Sequence, residues 1–351
     1  MILRKHFKEL LKKNDTSKIR LPKLTKRVAR KLIERIKIIK LYAHSYSFHL
    51  NFRKGGFEII DLLDFAYENG LDGININVNY GRKNSLVKMS RKKLRDTRLY
   101  AEKLKLGINI DVSSTLRKEI DAAVKIAKAL GVKNIRVYVR RGGYVSEIIE
   151  KGVEDLKYLS KFAKDDISFV LEQHEALKSN EMVEIIKKVD NPRLNLLFDF
   201  GNMINANEDP IDALMNMSPY IVHVHMKGAK IVKMKKGYKQ IGTLEGGKED
   251  DIPQMRMLFS LLLLLLGKSK PQVKFYSLQQ VFGYTSPSYR FDDEGEDPFI
   301  KKRGTSVTNL DKNKTLEGNL LLERKNATDQ VQYVRVLLKE METICKLIIK
   351  E

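Results

Sequence analysis

The stretch from Phe169 to Gly228 carries the most informative pattern in the chain. It contains three short apolar runs that each end in polar side chains: FVLEQHE (169–175), LNLLFDFGN (194–202) and YIVHVHMK (220–227). Runs of four to six β-forming residues followed at once by polar groups are typical of buried strands that lead into loops. The segments between them, SNEMVEIIKKV and DPIDALMNM, carry apolar residues at helical spacing. The predicted order is therefore strand, helix, strand, helix, strand.

Each of the three predicted strands ends in a side chain that can bind a metal. Parallel strands joined by helices place their carboxyl ends at one face of the sheet. We therefore expect Glu172, Asp199 and His225 to converge, although more than twenty residues separate each from the next. Two carboxylates and an imidazole suit Mn²⁺, Mg²⁺, Co²⁺, Zn²⁺ or Fe²⁺. The sequence predicts a site for one divalent metal here.

The same alternation of strand and helix extends over most of the chain. Eight predicted strands, the first within 37–50, are each followed by a helical pattern, and several helices end at a glycine such as Gly70 or Gly131. This pattern predicts an α/β fold, a (β/α)₈ TIM barrel. The absence of a Gly-x-Gly-x-x-Gly motif after the first strand counts against a dinucleotide-binding fold.

Two segments fall outside the repeating pattern. Residues 1–36 form a basic N-terminal extension, so we divide the chain into this extension and a barrel of residues 37–351. A long polar segment, 285–326, follows the eighth strand and precedes a last helix predicted from Ala327 to Lys350. Long loops are often functional, so this segment is interpreted as a lid over the barrel mouth or an oligomer contact, with a disordered insert as the alternative.

Charge is concentrated at the N-terminus. Residues 1–40 contain fifteen Lys/Arg against three acids, so they carry +12 of the net charge of +22. The remaining basic residues are spread along predicted helix faces, which favours solvated surfaces over a phosphate-binding groove. For residues 1–40, contact with nucleic acid, contact with an anionic surface and a plain solvated arm remain open.

Composition excludes several classes of protein. The single cysteine, Cys345, rules out a disulfide framework and a cysteine-based zinc site, and its helical context predicts a buried thiol. The apolar run LFSLLLLLLG is too short to span a membrane, and the N-terminus has no signal-peptide core. We expect a soluble cytoplasmic protein, and a homo-oligomer is compatible with the sequence.

The three strand endings resemble a known family. Leu-Glu-x-His, Phe-Asp-x-Gly-Asn and His-x-His-x-Lys, in this order, resemble the sugar phosphate isomerase/epimerase group of the xylose-isomerase-like TIM barrels. The resemblance covers roughly residues 40–350. It implies one divalent metal held by Glu172, Asp199, His225 and a glutamate after the eighth strand. This chain has Gln279 at that fourth position.

Gln279 is the main departure from the family pattern. In sugar epimerases of this kind, the carboxylate of the eighth strand also transfers a proton. A glutamine can offer a carbonyl oxygen to a metal, but it cannot accept a proton at neutral pH. Acids in neighbouring loops, namely Glu245, Asp250, Asp251 and Asp292, are candidates to replace it.

The related abasic-site endonucleases fit less well. They hold several zinc ions with additional histidines, whereas this chain has six histidines in all and Asn202 where those enzymes carry His. A nuclease of this type is therefore the weaker interpretation. Deleting the basic arm and measuring the salt dependence of nucleic-acid binding would test it.

Other polar residues near the strand ends are candidates for binding substrate. They are His174, Glu175, Asn202, His223, Lys227, Arg140 and Arg141. The two arginines are the better candidates for an anion, because a guanidinium binds phosphate through two hydrogen bonds. His44 and His49 flank the first strand, and satisfied core histidines are the default expectation for both, with one of them reaching the barrel mouth as the alternative.

The predicted function is that of a metal-dependent isomerase or epimerase of a sugar or sugar phosphate. Such a reaction needs a base for a carbon-bound proton and an electrophile for the developing enediolate. Glu172 is the predicted catalytic residue in addition to being a ligand. A metal-dependent dehydratase or lyase on the same fold and a catalytically degenerate barrel acting as a binding protein remain as alternatives.

Overall fold

The computed structural model describes residues 24–174, 176–267, 272–302 and 310–350, apart from the side chain of Arg82. The predicted (β/α)₈ barrel is confirmed, because eight parallel strands form a closed ring in which the last strand pairs with the first. The strands are β1 Leu41–His44, β2 Gly73–Asn77, β3 Gly107–Asp111, β4 Asn134–Val137, β5 Ser168–Glu172, β6 Leu194–Asp199, β7 Ile221–Met226 and β8 Phe275–Leu278.

Helices surround the ring of strands. They are α1 Lys26–Lys37, α2 His49–Lys54, α3 Ile59–Glu68, α4 Arg91–Lys103, α5 Arg117–Leu130, α6 Val145–Lys157, α7 Ser179–Val189, α8 Asn202–Asn205, α9 Pro210–Met217, α10 Gln254–Leu264 and α11 Leu316–Lys350. Helix α5 shows how they pack, since Ile120, Ala123 and Ala127 recur at helical spacing and are buried. Gly131 ends this helix with φ +71°, a left-handed conformation that favours glycine.

Helix α1 belongs to the basic extension. Thr25 caps it by accepting a hydrogen bond from the backbone N–H of Val28, and the helix buries Ala29, Leu32 and Ile36. It packs against α11 and leaves its lysines and arginines on the outer face. Residues 1–23 lie outside the described part of the chain. The boundary at residue 36 and the proposed contact with an anionic partner both stay predictions.

Helix α11 corrects the sequence prediction. It begins at Leu316, eleven residues before the predicted start at Ala327. Thr315 accepts a hydrogen bond from the backbone N–H of Gly318 through its hydroxyl, and the amide of Asn319 donates to carbonyls of the preceding turn. Gly318 and Asn319, which favour a loop in the sequence, therefore lie in the first turn of the helix, and the loop after β8 is shorter than predicted.

An antiparallel hairpin extends the barrel after β7. Its strands, Gly228–Lys233 and Tyr238–Thr243, lie between β7 and α10, and Thr285–Ser286 adds a third strand. The hairpin is tied down by Asp250 and Asp251, which accept hydrogen bonds from the backbone N–H groups of Ala229 and Ile231.

The loop after β8 is folded against the barrel over its described residues. Phe299–Ile300 pairs with Gly143–Tyr144. The buried guanidinium of Arg290 binds both carboxylate oxygens of Glu181, at 2.8 and 2.9 Å, and also pairs with Glu294. For residues 285–302 the structure therefore shows ordered packing rather than a disordered insert.

Two predictions from composition are also tested by the structure. Cys345 is buried in α11, as expected. The leucine-rich run forms the eleven-residue α10, and among the described residues no helix combines the length and the apolar character that crossing a membrane requires.

Candidate active site

A cavity of about 290 Å³ lies at the carboxyl ends of the barrel strands. This is the face where barrel enzymes carry their catalytic groups. The cavity is lined by His44, Ser45, Tyr46, His49, Asn77, Asn79, Tyr80, Asp111, Ser113, Arg136, Tyr138, Arg140, Glu172, His174, Asn202, Lys227, Gln279, Val281 and Tyr284.

The three residues predicted to converge do so. Glu172, Asp199 and His225 are buried, and each has one ligand atom within 4.8 Å of those of the other two. Nδ1 of His225 lies 3.2 Å from Oε1 of Glu172 and 3.8 Å from Oδ2 of Asp199. The strand register explains this placement, since Asp199 and His225 are direct partners on β6 and β7.

Asp199 divides its two oxygens between two tasks. Oδ1 accepts hydrogen bonds from the backbone N–H groups of Gly201 (2.8 Å) and Asn202 (2.9 Å) and lies 3.0 Å from Nζ of Lys227. Oδ2 is buried and has no hydrogen bond within the described part of the structure. One oxygen therefore closes the turn after β6, and the other is free to bind a ligand.

Glu172 is held by a residue that the sequence analysis missed. Arg136, from the interior of β4, forms a buried ion pair with Oε2 of Glu172 and lies over the ring of Tyr138. The side-chain amide of Asn202 donates to Oε1 of Glu172 over 3.2 Å. An arginine inside the run NIRVYV, where apolar residues are expected, is the sequence signal that marks this position.

His225 presents a neutral ring to the two carboxylates. Burial and the neighbouring His44 lower the pKa of His225 well below its ordinary value, so the imidazole is uncharged at neutral pH. Neither ring nitrogen has a hydrogen bond among the described residues. A neutral imidazole with an unused nitrogen lone pair is the form that binds metals.

Asp111, at the end of β3, forms a second buried pair with His44. Nε2 of His44 lies 2.9 Å from Oδ2 of Asp111, while Nδ1 of the same ring accepts a hydrogen bond from the backbone N–H of Tyr46. Burial alone would raise the pKa of Asp111, but the contacts with His44 and the charge of Arg136 hold it below its ordinary value. Asp111 follows the same pattern as Glu172, an acid at a strand end, and the same reasoning would have found it.

Glu172, Asp199 and His225, called the triad below, fit a divalent metal, and Glu172 also lines the cavity. Oδ2 of Asp199 and both ring nitrogens of His225 are buried and accept or donate no hydrogen bond among the described residues. Buried polar atoms rarely remain unpaired without a functional reason. Gln279 lines the same cavity and can add a neutral carbonyl oxygen.

The predicted substrate-binding residues fall into two groups. His174, Asn202, Lys227 and Arg140 line the cavity, and His174 stacks on Tyr138 with ring centroids 4.2 Å apart. Of the other three, Arg141 and His223 do not line the cavity, and Glu175 is outside the described residues. Arg141 pairs with Asp155 at 2.6 Å, and His223 lies one layer deeper and bonds Ser277 at 2.7 Å.

Lys227 is placed differently from a solvated lysine. Its ammonium group is buried between Asp199 and Asn202, and it donates to the side-chain oxygen of Asn202 over 2.7 Å. Lys227 and Arg136 therefore place two basic groups beside the carboxylates of Glu172 and Asp199. Buried carboxylates require such partners to remain ionised.

None of the loop acids considered as replacements for the missing glutamate lines the cavity. Asp250 and Asp251 bind hairpin N–H groups, and Asp292 binds Asn207 and Lys233. Glu245 accepts a hydrogen bond from Gln330, and burial raises its pKa to about 8. That hypothesis is wrong for the described structure, because these acids are used to fasten loops.

The histidines beside β1 are buried and hydrogen-bonded, as expected. In addition, His44 and His49 both line the cavity. His49 stacks on Tyr46, with centroids 4.8 Å apart, and its Nδ1 lies 2.7 Å from the hydroxyl of Tyr80. These three residues form a neutral aromatic wall that sequence spacing could not identify, since Tyr80 follows a different strand.

Comparisons with known proteins agree with this architecture. A family described as "Xylose isomerase-like TIM barrel" matches residues 63–256. The uncharacterized protein YihM of Escherichia coli K12 is 39% identical over 315 residues, which cover 90% of this chain and 95% of that protein. A 3-dehydroshikimate dehydratase of Bacillus anthracis is 23% identical over 194 residues, or 51% of this chain and 69% of the relative.

A solved structure shows the same fold. The crystal structure of D-psicose 3-epimerase in the presence of D-fructose superposes with a TM-score of 0.58 at 12% identity, covering 86% of this chain and 99% of that one. The family includes epimerases and dehydratases. With its closed eight-stranded barrel and the match over more than half its length, this chain belongs to the xylose isomerase-like TIM barrel family.

Proposed function

We propose that this protein is a divalent-metal-dependent isomerase or epimerase of a sugar or sugar phosphate, which removes a proton next to a carbonyl group. The observation that carries the proposal is the buried cluster of Glu172, Asp199 and His225, of which Glu172 lines a polar cavity. The shared fold with a D-psicose 3-epimerase supports it.

The triad would hold the metal, with the carbonyl oxygen of Gln279 as a fourth donor. When bound, a divalent ion would polarise the substrate carbonyl and stabilise the charge that develops on its oxygen. Glu172 pairs with Arg136 and is the carboxylate proposed to take the proton from carbon. Lys227 lines the cavity together with Glu172 and is proposed to offer a positive charge to a substrate oxygen.

The other cavity residues fit a substrate with several oxygens. Asn202 and Lys227 lie on one side, and Asn77, Ser45 and the aromatic wall lie on the other. Arg140 also lines the cavity and is suited to bind the phosphate of a sugar phosphate.

A dehydratase is the second candidate, and Gln279 favours it. Inverting a carbon centre needs a proton acceptor on one face and a proton donor on the other, and Gln279 cannot take either role. Eliminating water needs a base for the proton beside the carbonyl and an acid for the leaving hydroxyl group. One carboxylate can take that proton and pass it to the hydroxyl as water leaves. The similarity to a 3-dehydroshikimate dehydratase over 194 residues supports the same candidate.

Metal affinity tests the site. We expect the wild-type protein to bind about one Mn²⁺, Co²⁺ or Zn²⁺ in calorimetric titration, and Glu172→Gln to lose more than the ~10–100-fold typical of outer partners. Glu181→Gln is the matched control, because it also breaks a buried Arg–Glu pair but lies outside the cavity. Absence of binding by the wild type, or equal losses in both variants, would contradict the site.

A turnover screen then separates the two reactions. Ketohexoses, their phosphates and 3-dehydroshikimate are incubated with the metal-loaded protein in D₂O and followed by NMR. An isomerase or epimerase incorporates solvent deuterium and yields an isomer, whereas a dehydratase yields an unsaturated product. If the metal binds but nothing reacts, the alternative of a degenerate binding barrel is favoured.

A further inference from the structure

The cavity has a second functional wall across from the metal ligands. Strands β1 and β2 lie on the opposite side of the ring from β5 and β6. The loops after β1 and β2 bring Tyr46, His49 and Tyr80 to the cavity, facing Glu172 and Asn202. A substrate that binds beside Glu172 and fills the cavity would therefore contact this wall with its far side.

A chain of hydrogen bonds fixes which group donates at this wall. Nη1 of Arg53 lies 3.2 Å from Nε2 of His49, and Nδ1 of His49 lies 2.7 Å from the hydroxyl oxygen of Tyr80. A guanidinium can only donate, so Nε2 of His49 must be the acceptor. In a neutral imidazole the other nitrogen then carries the proton, and Nδ1–H donates to Tyr80.

The consequence concerns the hydroxyl of Tyr80. Its oxygen is already an acceptor from His49, so its own proton points elsewhere. The Tyr80 hydroxyl group makes no further hydrogen bond in the part of the chain that the structure describes. The reverse arrangement would place an N–H of His49 against an N–H of Arg53, which is repulsive.

We propose that Tyr80 donates a hydrogen bond from its hydroxyl to an oxygen of the substrate, and that Arg53 and His49 act as positioning residues that set this direction. The inference rests on the proposed function, whose substrate it narrows to one with an acceptor oxygen, a hydroxyl or a carbonyl, on the side away from the metal ligands. An apolar group at that position would leave the donor unpaired.

The electrostatics of the wall keep both groups in the required form. Burial and the charge of Arg53 lower the pKa of His49 to about 4, so the ring is neutral at pH 7. Burial, with the neighbouring Tyr46, raises the pKa of Tyr80 well above its ordinary value, so its hydroxyl keeps the proton. Stacking on Tyr46 holds the His49 ring in place.

The tautomer of His49 is the first test and needs no substrate. In ¹⁵N-labelled protein at pH 7, we expect the shifts of His49 to show a protonated Nδ1 and an unprotonated Nε2. Assignment uses the signal lost in His49→Gln. Arg53→Met should increase the population of the other tautomer. A predominant Nε2–H form in the wild type would overturn the proposal, because Tyr80 would then donate to His49.

Turnover of a substrate found in the screen is the second test. Removing one hydrogen bond to a substrate oxygen in Tyr80→Phe should lower kcat/KM about tenfold, as the loss of about 1.4 kcal/mol would. Tyr100→Phe is the control, since its hydroxyl binds Asp64 away from the cavity. A Tyr80→Phe enzyme within twofold of wild type would overturn the donor role.

The two tests separate this inference from the proposed function. An Nδ1–H tautomer in a protein that binds no metal and turns over nothing would contradict the proposed function and still support the directed Tyr80 donor. An Nε2–H tautomer in an active enzyme would support the function and overturn the inference.

Discussion

The two halves of the cavity solve different physical problems. The half built by β5, β6 and β7 concentrates charge, with Glu172 and Asp199 each paired to a buried cation, Arg136 or Lys227. The half built after β8, β1 and β2 presents neutral groups, with Gln279 where a fourth carboxylate is expected and a tyrosine–histidine wall beside it.

The difference shows how each half keeps its geometry. In the charged half, ion pairs hold the carboxylates in place before any metal binds, because an unpaired buried charge is costly. In the neutral half, the uncharged side chains of Tyr46, His49 and Tyr80 are held in place by stacking and by hydrogen-bond direction, which Arg53 sets from behind His49. A metal at the proposed site would therefore meet carboxylates whose charge is already partly compensated, and a substrate would meet a proposed donor, Tyr80, whose direction is already fixed.

Breaking the ion pair of the charged half should have the largest effect. Arg136→Met leaves Glu172 buried without its cation, so we expect the free energy of unfolding of the metal-free protein to fall by about 3–5 kcal/mol. Urea denaturation measures this, and added Mn²⁺ should restore part of the loss by binding the folded state. Arg98→Met, which breaks an exposed pair with Glu102, should cost about 0–1 kcal/mol. Equal losses would contradict the comparison.

The neutral state of His49 should make the free energy of unfolding depend on pH. The folded pKa of His49 is about 4 against an ordinary value of 6.5, so below pH 6.5 the unfolded chain binds a proton that the folded protein refuses. This contribution is present above pH 6.5 and is lost as the pH falls towards 4. Between pH 6.5 and pH 4, the free energy of unfolding of His49→Gln should therefore fall by up to about 3 kcal/mol less than that of the wild type.

Urea denaturation at several pH values compares the two proteins. The other histidines, including the buried His223 and His225, are present in both, so the difference isolates His49. If the free energies of unfolding of the wild type and His49→Gln fall by the same amount between pH 6.5 and 4, the neutral state of His49 does not contribute to stability and the prediction is contradicted.

Making the neutral half charged should have the smallest effect. Gln279→Glu adds a carboxylate to the cavity, and metal affinity rises with the charge of the ligands. We expect the affinity of this variant for Mn²⁺ to be about tenfold higher than that of the wild type. Calorimetric titration with Mn²⁺ measures it, and Gln332→Glu, on the exposed face of α11, is the control. Weaker binding in Gln279→Glu would show that Gln279 is not near the metal. If only this variant binds metal, the natural barrel is degenerate.

The sequence predicted the barrel and the triad because both depend on local pattern. Period-two and helical spacing mark strands and helices, and parallel strands bring their carboxyl ends together whatever their distance in the chain. Glu172, Asp199 and His225 could be named for that reason. Helix α11 was misjudged at its start because Gly318 and Asn319 have loop propensity that tertiary packing overrides.

What the sequence determined by itself is the order of elements, the face on which the polar strand ends meet, and the absence of a carboxylate at Gln279. Tertiary structure alone decided which groups pair there: Arg136 with Glu172, Lys227 with Asp199, and His49 with Tyr80. The physical reason is that hydrogen bonds and ion pairs depend on distance and orientation in space, and residues on different strands have no fixed spacing in the sequence.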